Sequence, residues 1–169
     1  MGVDLVKSAF DLALELEVDG KEYYLQQAEA IDDLQLKQLF TMLAEDEEKH
    51  YQIIKSMRDR GEYQDLDVDS EAVAAARKIF ASRVKSGEIF RVETNYLEAY
   101  QHAVNLEKES FQLYSTLAEE ATSDGERQLF LKLAKEEDGH RIILENLMEV
   151  IGRPETWVES AEFYHLEEY

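Results

Sequence analysis

Four glutamates and two histidines recur in this chain at one constant offset, in positions where a helical protein would carry apolar residues. Glu17, Glu47 and His50 return ninety residues later as Glu107, Glu137 and His140. The neighbouring residues repeat with them: Tyr24 and Tyr114, Ala28 and Ala118, Leu39-Phe40 and Leu129-Phe130, Leu43-Ala44 and Leu133-Ala134. Between Ala13 and Ile53, 14 of 41 positions are identical to their partners, which identifies one supersecondary unit used twice. Ionisable groups on an inward stripe cost on the order of several kcal/mol each unless something neutralises them. No lysine or arginine shares those stripes. Two divalent cations would neutralise four carboxylates and would also take the histidine nitrogens.

The elements that must position these groups are helices. Four long segments show helical periodicity. The first runs from about Asp4, a candidate N-cap, to Ala30, with an inward stripe of Val6, Ala9, Ala13, Leu16, Gly20, Tyr24, Ala28 and Ile31. The second follows an Asp32-Asp33 turn, carries Phe40, Leu43, Glu47, His50, Ile54 and Met57, and ends at Gly61 behind Lys55, Arg58 and Arg60. The third starts near Thr94 with Tyr96, Ala99, Ala103, Leu106, Ser110, Tyr114 and Ala118. The fourth follows Thr122-Ser123-Asp124-Gly125 and is stopped by Gly152 and Pro154. Its stripe of Phe130, Leu133, Glu137, His140, Leu144 and Leu147 advances in steps of three and four, so the glutamate and histidine occupy core positions.

Depth follows from the turns. In an antiparallel hairpin, residues equidistant from the turn lie at one level. Glu17 and Glu47 are equidistant from Asp32, and Glu107 and Glu137 from Thr122, so all six side chains are expected to meet halfway along a bundle. Residues 61–93 form a connection far longer than a helical hairpin needs, with a short helix capped by Ser70 and running to about Ser82. Such a crossover leaves the second and third long helices parallel. The expected fold is an all-α, ferritin-like four-helix bundle in a single domain over residues 1–169: repeat 1 at 4–60, crossover at 61–93, repeat 2 at 94–151 and tail at 152–169. The tail holds the single Trp and four aromatics within 13 residues, and is expected to pack as a short helix on the bundle or against another subunit.

Composition narrows the chemistry. Thirty-eight Asp and Glu against 18 Lys and Arg give a net charge of −20, which excludes nucleic acid and anionic membrane as partners and favours cations. Cysteine is absent, which rules out disulfides, thiolate metal sites and cysteine catalysis. There is no signal-peptide pattern and no apolar run near the roughly 20 residues of a membrane span, so the expected location is cytoplasmic.

A glutamate from each of two helices with Glu-x-x-His from two others is the pattern of a dinuclear carboxylate site, and the i,i+3 spacing sets carboxylate and imidazole on one helix face. Oxygen and nitrogen ligands without sulfur suit iron or manganese and admit zinc. Tyr24 and Tyr114 are candidates to orient the ligands by hydrogen bonds, against the plainer role of core aromatics. Gly20 and Ser110 are small enough to leave room beside the metals. Glu45, Asp46, Glu48, Glu136 and Asp138 flank the motifs but point off the stripe, where a solvated face is expected. His102 has Leu12 as its counterpart and His165 lies in the tail, so neither is expected to be a ligand. Glu15, Glu22 and Glu109 are candidates to attract cations.

On Glu17, Tyr24, Ala28, Leu39-Phe40, Leu43-Ala44, Glu47-x-x-His50 and their copies, the chain resembles a rubrerythrin-type member of the ferritin-like superfamily over roughly residues 4–151. The resemblance implies two non-haem iron ions per chain held by Glu17, Glu47, His50, Glu107, Glu137 and His140. It implies reduction of hydrogen peroxide or O₂, with oxidation of ferrous iron as the alternative, and a homodimer or larger homo-oligomer. Full-length rubrerythrins carry a cysteine-ligated rubredoxin domain that is missing here, so an external electron donor, such as a rubredoxin-like protein, is implied. Rubrerythrins also carry an additional glutamate where this chain has Ser110. The remaining four-glutamate, two-histidine set is similar to the ferroxidase centre of bacterioferritins. Glu48 stands where a bacterioferritin has its haem methionine, so no haem is expected. A non-catalytic bundle stabilised by metal is the third alternative.

Overall fold

The structure, a computed structural model, describes residues 2–61, 70–87 and 96–152. The described residues form five helices and no strand: α1 Gly2–Ala30, α2 Leu34–Arg60, α3 Glu71–Ser86, α4 Tyr96–Glu120 and α5 Asp124–Gly152. None of these helices is long and apolar enough to cross a membrane.

Local chemistry sets the helix ends. Asp33 caps α2, its Oδ1 accepting from the N–H groups of Gln35 and Leu36 at 3.1 and 3.3 Å. Gly61, at φ 66°, closes α2 in the left-handed conformation and donates its N–H to the Met57 carbonyl. Ser123 caps α5 by accepting from the Glu126 N–H at 3.2 Å. Ser70 caps α3, which continues past the expected Ser82 to Ser86 because the left-handed Gly87 is what ends it. Helix α1 already begins at Gly2, so Asp4 lies inside it and is not its cap; water can satisfy first-turn N–H groups without a side chain. The expected start at Thr94, Pro154 and the aromatic tail lie outside the described residues.

Helix α1 packs on α2, α4 on α5, and the two hairpins meet chiefly through α1 and α4. Contacts between the hairpins give the direction of each helix. Tyr24 reaches Glu107 while Tyr114 reaches Glu17, so α1 and α4 are antiparallel. His50 reaches Glu137 and His140 lies against Glu47, so α2 and α5 are antiparallel too. It follows that α2 and α4 are parallel, as the long crossover requires. The crossover helix α3 returns along α2: Ser70 bonds Asp46 in mid-helix, and Arg83 pairs with the capping Asp33. It covers the seam between α2 and α5.

The apolar core lies in two blocks. One gathers Tyr24, Ala28, Leu36, Leu39, Phe40, Leu43, Tyr100, Val104, Leu144 and Leu147 with Ala72, Ala76 and Phe80 of α3. The other gathers Phe10, Ala13, Ile54, Met57, Tyr114, Leu117, Phe130 and Leu133. The polar layer separates them, enclosed at both ends by hydrocarbon. This is a ferritin-like helical bundle built from two copies of one hairpin.

Candidate metal centre

Glu17, Glu47, His50, Glu107, Glu137 and His140 are each 0–3% exposed, and all six lie in the mid-bundle layer. Their ligand atoms fall into two groups, each with atoms within 4.8 Å of one another: Glu17, Glu47, His50 and Glu137, and Glu47, Glu107, Glu137 and His140. Glu47 and Glu137 belong to both. The two imidazoles stack across the centre with ring centroids 5.9 Å apart.

Polar contacts in this layer link one hairpin to the other. The Tyr114 hydroxyl donates to Glu17 Oε1, and the Tyr24 hydroxyl to Glu107 Oε1. Each tyrosine therefore fixes one oxygen of the other repeat's glutamate and leaves Oε2 unpartnered. His50 Nδ1 lies 2.9 Å from Glu137 Oε1 and 3.5 Å from Glu17 Oε2. His140 Nδ1 lies 2.8 Å from Glu47 Oε1 and 3.5 Å from Glu107 Oε1.

The outward ring nitrogens are held as well, by residues expected on a solvated face. His140 Nε2 lies 3.0 Å from Asp46 Oδ2, and His50 Nε2 bonds Glu136 Oε2. Asp46 is 3% exposed and Glu136 8%, which corrects that expectation. A residue one position before a core residue lies on the flank of the stripe, and in a bundle the flank is buried when a neighbouring helix covers it. Here the facing hairpin's imidazole takes that position. The signal was present in the sequence: Asp46 and Glu136 are partners at the repeat offset, with the charge kept and the identity lost. Glu45 is exposed, and Glu48 and Asp138 are part-exposed, with Glu48 paired to Lys21 at 2.8 Å. His102 is exposed and edge-on to Tyr23, away from the cluster; His165 lies outside the described residues.

Electrostatics divides the acids. Burial raises the Glu47 carboxyl, and the charges of Glu107 and Glu17 raise it further. Burial and the charges of Glu17, Glu47 and Glu107 do the same to Glu137. Burial also pushes Glu17 and Glu107 upward, but His50 and His140 respectively outweigh it and hold them below the ordinary range. Burial disfavours both imidazolium ions, yet Glu137 and Glu17 around His50, and Glu107 and Asp46 around His140, raise them well above the usual histidine value. Burial keeps the Tyr24 and Tyr114 phenols neutral, so they remain donors.

These residues fit a pair of metal ions. Glu17 Oε2, Glu47 Oε1, Glu107 Oε2, Glu137 Oε2 and His140 Nδ1 are buried without a hydrogen-bond partner, although Glu47 Oε1 and His140 Nδ1 lie only 2.8 Å apart. Buried polar atoms are almost always satisfied by protein or water. Five orphans converging on one layer, all of them oxygen or imidazole nitrogen, make a donor set for divalent cations.

Gly20 is part of that fit. A Cβ at this position would lie 3.0 Å from Glu47 Oε2. The glycine thus leaves α1 open to the carboxylate arriving from α2. Gly20→Ala is expected to displace Glu47 and lower manganese affinity on the order of tenfold. The metal-free protein should be as stable as before or up to about 1 kcal/mol more stable, through helix propensity. Calorimetric titration and thermal unfolding in chelator read the two effects. Unchanged affinity would mean that Glu47 needs no such room.

The sequence matches the Rubrerythrin family model over residues 9–148, and again over 95–164, a stretch that begins with the second repeat. No curated protein and no solved structure shows a significant match. A bundle of two repeated hairpins that encloses a carboxylate and histidine cluster, matched over most of its length, belongs to the rubrerythrin family, whose members bind a di-iron centre.

Proposed function

We propose that this protein is a di-iron oxidoreductase that reduces hydrogen peroxide or O₂ with electrons from an external donor. The observation that carries this reading is the sharing of Glu47 and Glu137 between two groups of buried ligand atoms, which suits two ions held side by side. When bound, a pair of iron ions supplies two electrons at one place, matching the demand of O–O bond cleavage.

The residues of the chain have separate tasks in this reading. Glu47 and Glu137 join the two halves of the centre, and Glu17 and Glu107 each offer a free Oε2 to one half. His50 and His140 offer Nδ1, with Glu136 and Asp46 fixing the ring and tautomer through Nε2. Tyr24 and Tyr114 stay protonated and keep the outer glutamates in orientation. The apolar blocks above and below exclude bulk water. These 169 residues hold no cysteine and so no rubredoxin-type iron, and in this reading the electrons come from a donor outside the bundle.

Ferrous-iron oxidation for storage or detoxification is the second reading. It is favoured by Ser110, buried one turn after Glu107, where the resemblance implies a further glutamate in peroxide-reducing relatives. Mixing anaerobic ferrous-loaded protein with peroxide or with O₂, in the presence of a reductant, separates the readings. Repeated turnover with about two irons per chain supports the oxidoreductase. Accumulation of many irons in a large assembly supports storage. An oxidation-resistant centre whose removal unfolds the protein leaves metal a structural role. We place the protein in the cytoplasm, as a single-domain homodimer or larger homo-oligomer.

A further inference from the structure

The two halves of the centre are near copies, but among the described residues only one is tied to the crossover. Asp46 Oδ2 accepts from His140 Nε2 at 3.0 Å and from Ser70 Oγ at 2.6 Å. Ser70 is also the cap of α3, its Oγ accepting from the Val73 N–H at 3.3 Å. Helix α3 is itself clamped. Val73 packs against Gly139, the neighbour of His140, so closely that a Cβ there would lie 3.2 Å from its Cγ2. At the other end Arg83 pairs with Asp33 and donates to Gln35 Oε1 at 2.8 Å. Lys49 Nζ, 3.8 Å from Asp46 Oδ1 on a largely exposed side chain, is too loose to fix the carboxylate.

On the opposite side Glu136 carries one methylene more than Asp46, and no hydroxyl bonds it among the described residues. Two donors on one oxygen, one of them rooted in a clamped helix, fix the rotation of Asp46 and so the plane of the His140 ring. A ligand already held in its bound orientation loses less freedom when the ion arrives. We propose that Ser70 is a positioning residue that makes the His140 half of the centre the tighter of its two metal subsites. The inference rests on the two-metal reading above.

The test isolates each half. Glu17→Gln disables the His50 side and Glu107→Gln the His140 side, and manganese(II) affinity is then measured calorimetrically on the surviving subsite. The Glu17→Gln protein should bind manganese more tightly than the Glu107→Gln protein. Adding Ser70→Gly should weaken the first roughly ten- to a hundredfold and leave the second unchanged. Glycine caps helices nearly as well as serine, so α3 stays capped while the hydroxyl is lost. Ser70→Thr keeps both functions and should restore the affinity. Circular dichroism of the metal-free variants checks that all are folded. Equal affinities in the two single variants, or a Ser70→Gly loss of the same size on both sides, would overturn the inference and leave the two-metal reading standing. If neither variant nor the parent binds manganese or iron, both fall together.

Discussion

Glu137→Gln is expected to yield a bundle that folds at least as well as the parent without metal and yet retains little metal. In the metal-free protein, burial and the charges of Glu17, Glu47 and Glu107 raise the Glu137 carboxyl well above its ordinary value, which favours its neutral acid form. Glutamine has the same shape and the same lack of charge, so the fold meets no new penalty. A metal-loaded centre requires the carboxylate. Removing one partner from a buried set of compensating charges costs about 3–5 kcal/mol, or at least about two orders of magnitude in affinity. Glu47 is the repeat counterpart, raised by burial and then by Glu107 and Glu17, and Glu47→Gln should behave alike. Glu17→Gln should differ: Glu17 belongs to only one of the two ligand groups, so one ion should be lost and the other kept. Elemental analysis after anaerobic reconstitution gives the metal count, and thermal unfolding in chelator gives the metal-free stability. Full metal content in Glu137→Gln would mean that this carboxylate holds no ion.

The contrast between the bridging and outer glutamates bears on what could be read from the chain. The ninety-residue offset and the position of the turns placed all six groups at one depth, because helix geometry converts spacing directly into level and face. The parallel arrangement of α2 and α4 followed from the length of the crossover alone. Other features depend on which helix faces which across the bundle, and no spacing within one helix reveals that. Tyr24 was a candidate to orient a ligand, but spacing could not say that it serves Glu107 of the other repeat and not Glu17 of its own. A stripe one residue wide leaves Asp46 and Glu136 to water. Their partners, His140 and His50, come from the opposite hairpin. Gly20 was legible as space beside the site, though not as space for Glu47 in particular.

The stability of the metal-free protein should peak in mildly acidic solution, and metal should reverse the trend above that. Glu47 and Glu137 have folded-state values above their ordinary 4.5, so above that pH the folded state holds protons that the unfolded chain has released, and stability falls as pH rises. His50 and His140 are raised above 6.5; their contribution is complete below that pH and is lost as pH rises through their folded-state values. Each group can change stability by about 1.4 kcal/mol per pH unit within its window. Glu17, Glu107 and Asp46 act in the opposite sense, being lowered from 4.5, 4.5 and 3.8, so their contribution disappears as acid protonates them. The maximum should therefore fall near pH 4–5, by these ordinary carboxyl values, and the net charge of −20 adds self-repulsion on the alkaline side. A divalent cation competes with the protons held by these carboxyl and imidazole groups. Apparent affinity should rise with pH, and with it the stabilisation, which grows as the logarithm of ligand concentration over Kd. The rise in Tm caused by saturating manganese should thus be larger at pH 8 than at pH 5. Calorimetric heats at pH 7 should also depend on the ionisation enthalpy of the buffer, in proportion to the protons released. Heats independent of the buffer, or a Tm increment that shrinks toward pH 8, would show that the ions do not replace protons on these carboxyl and imidazole groups.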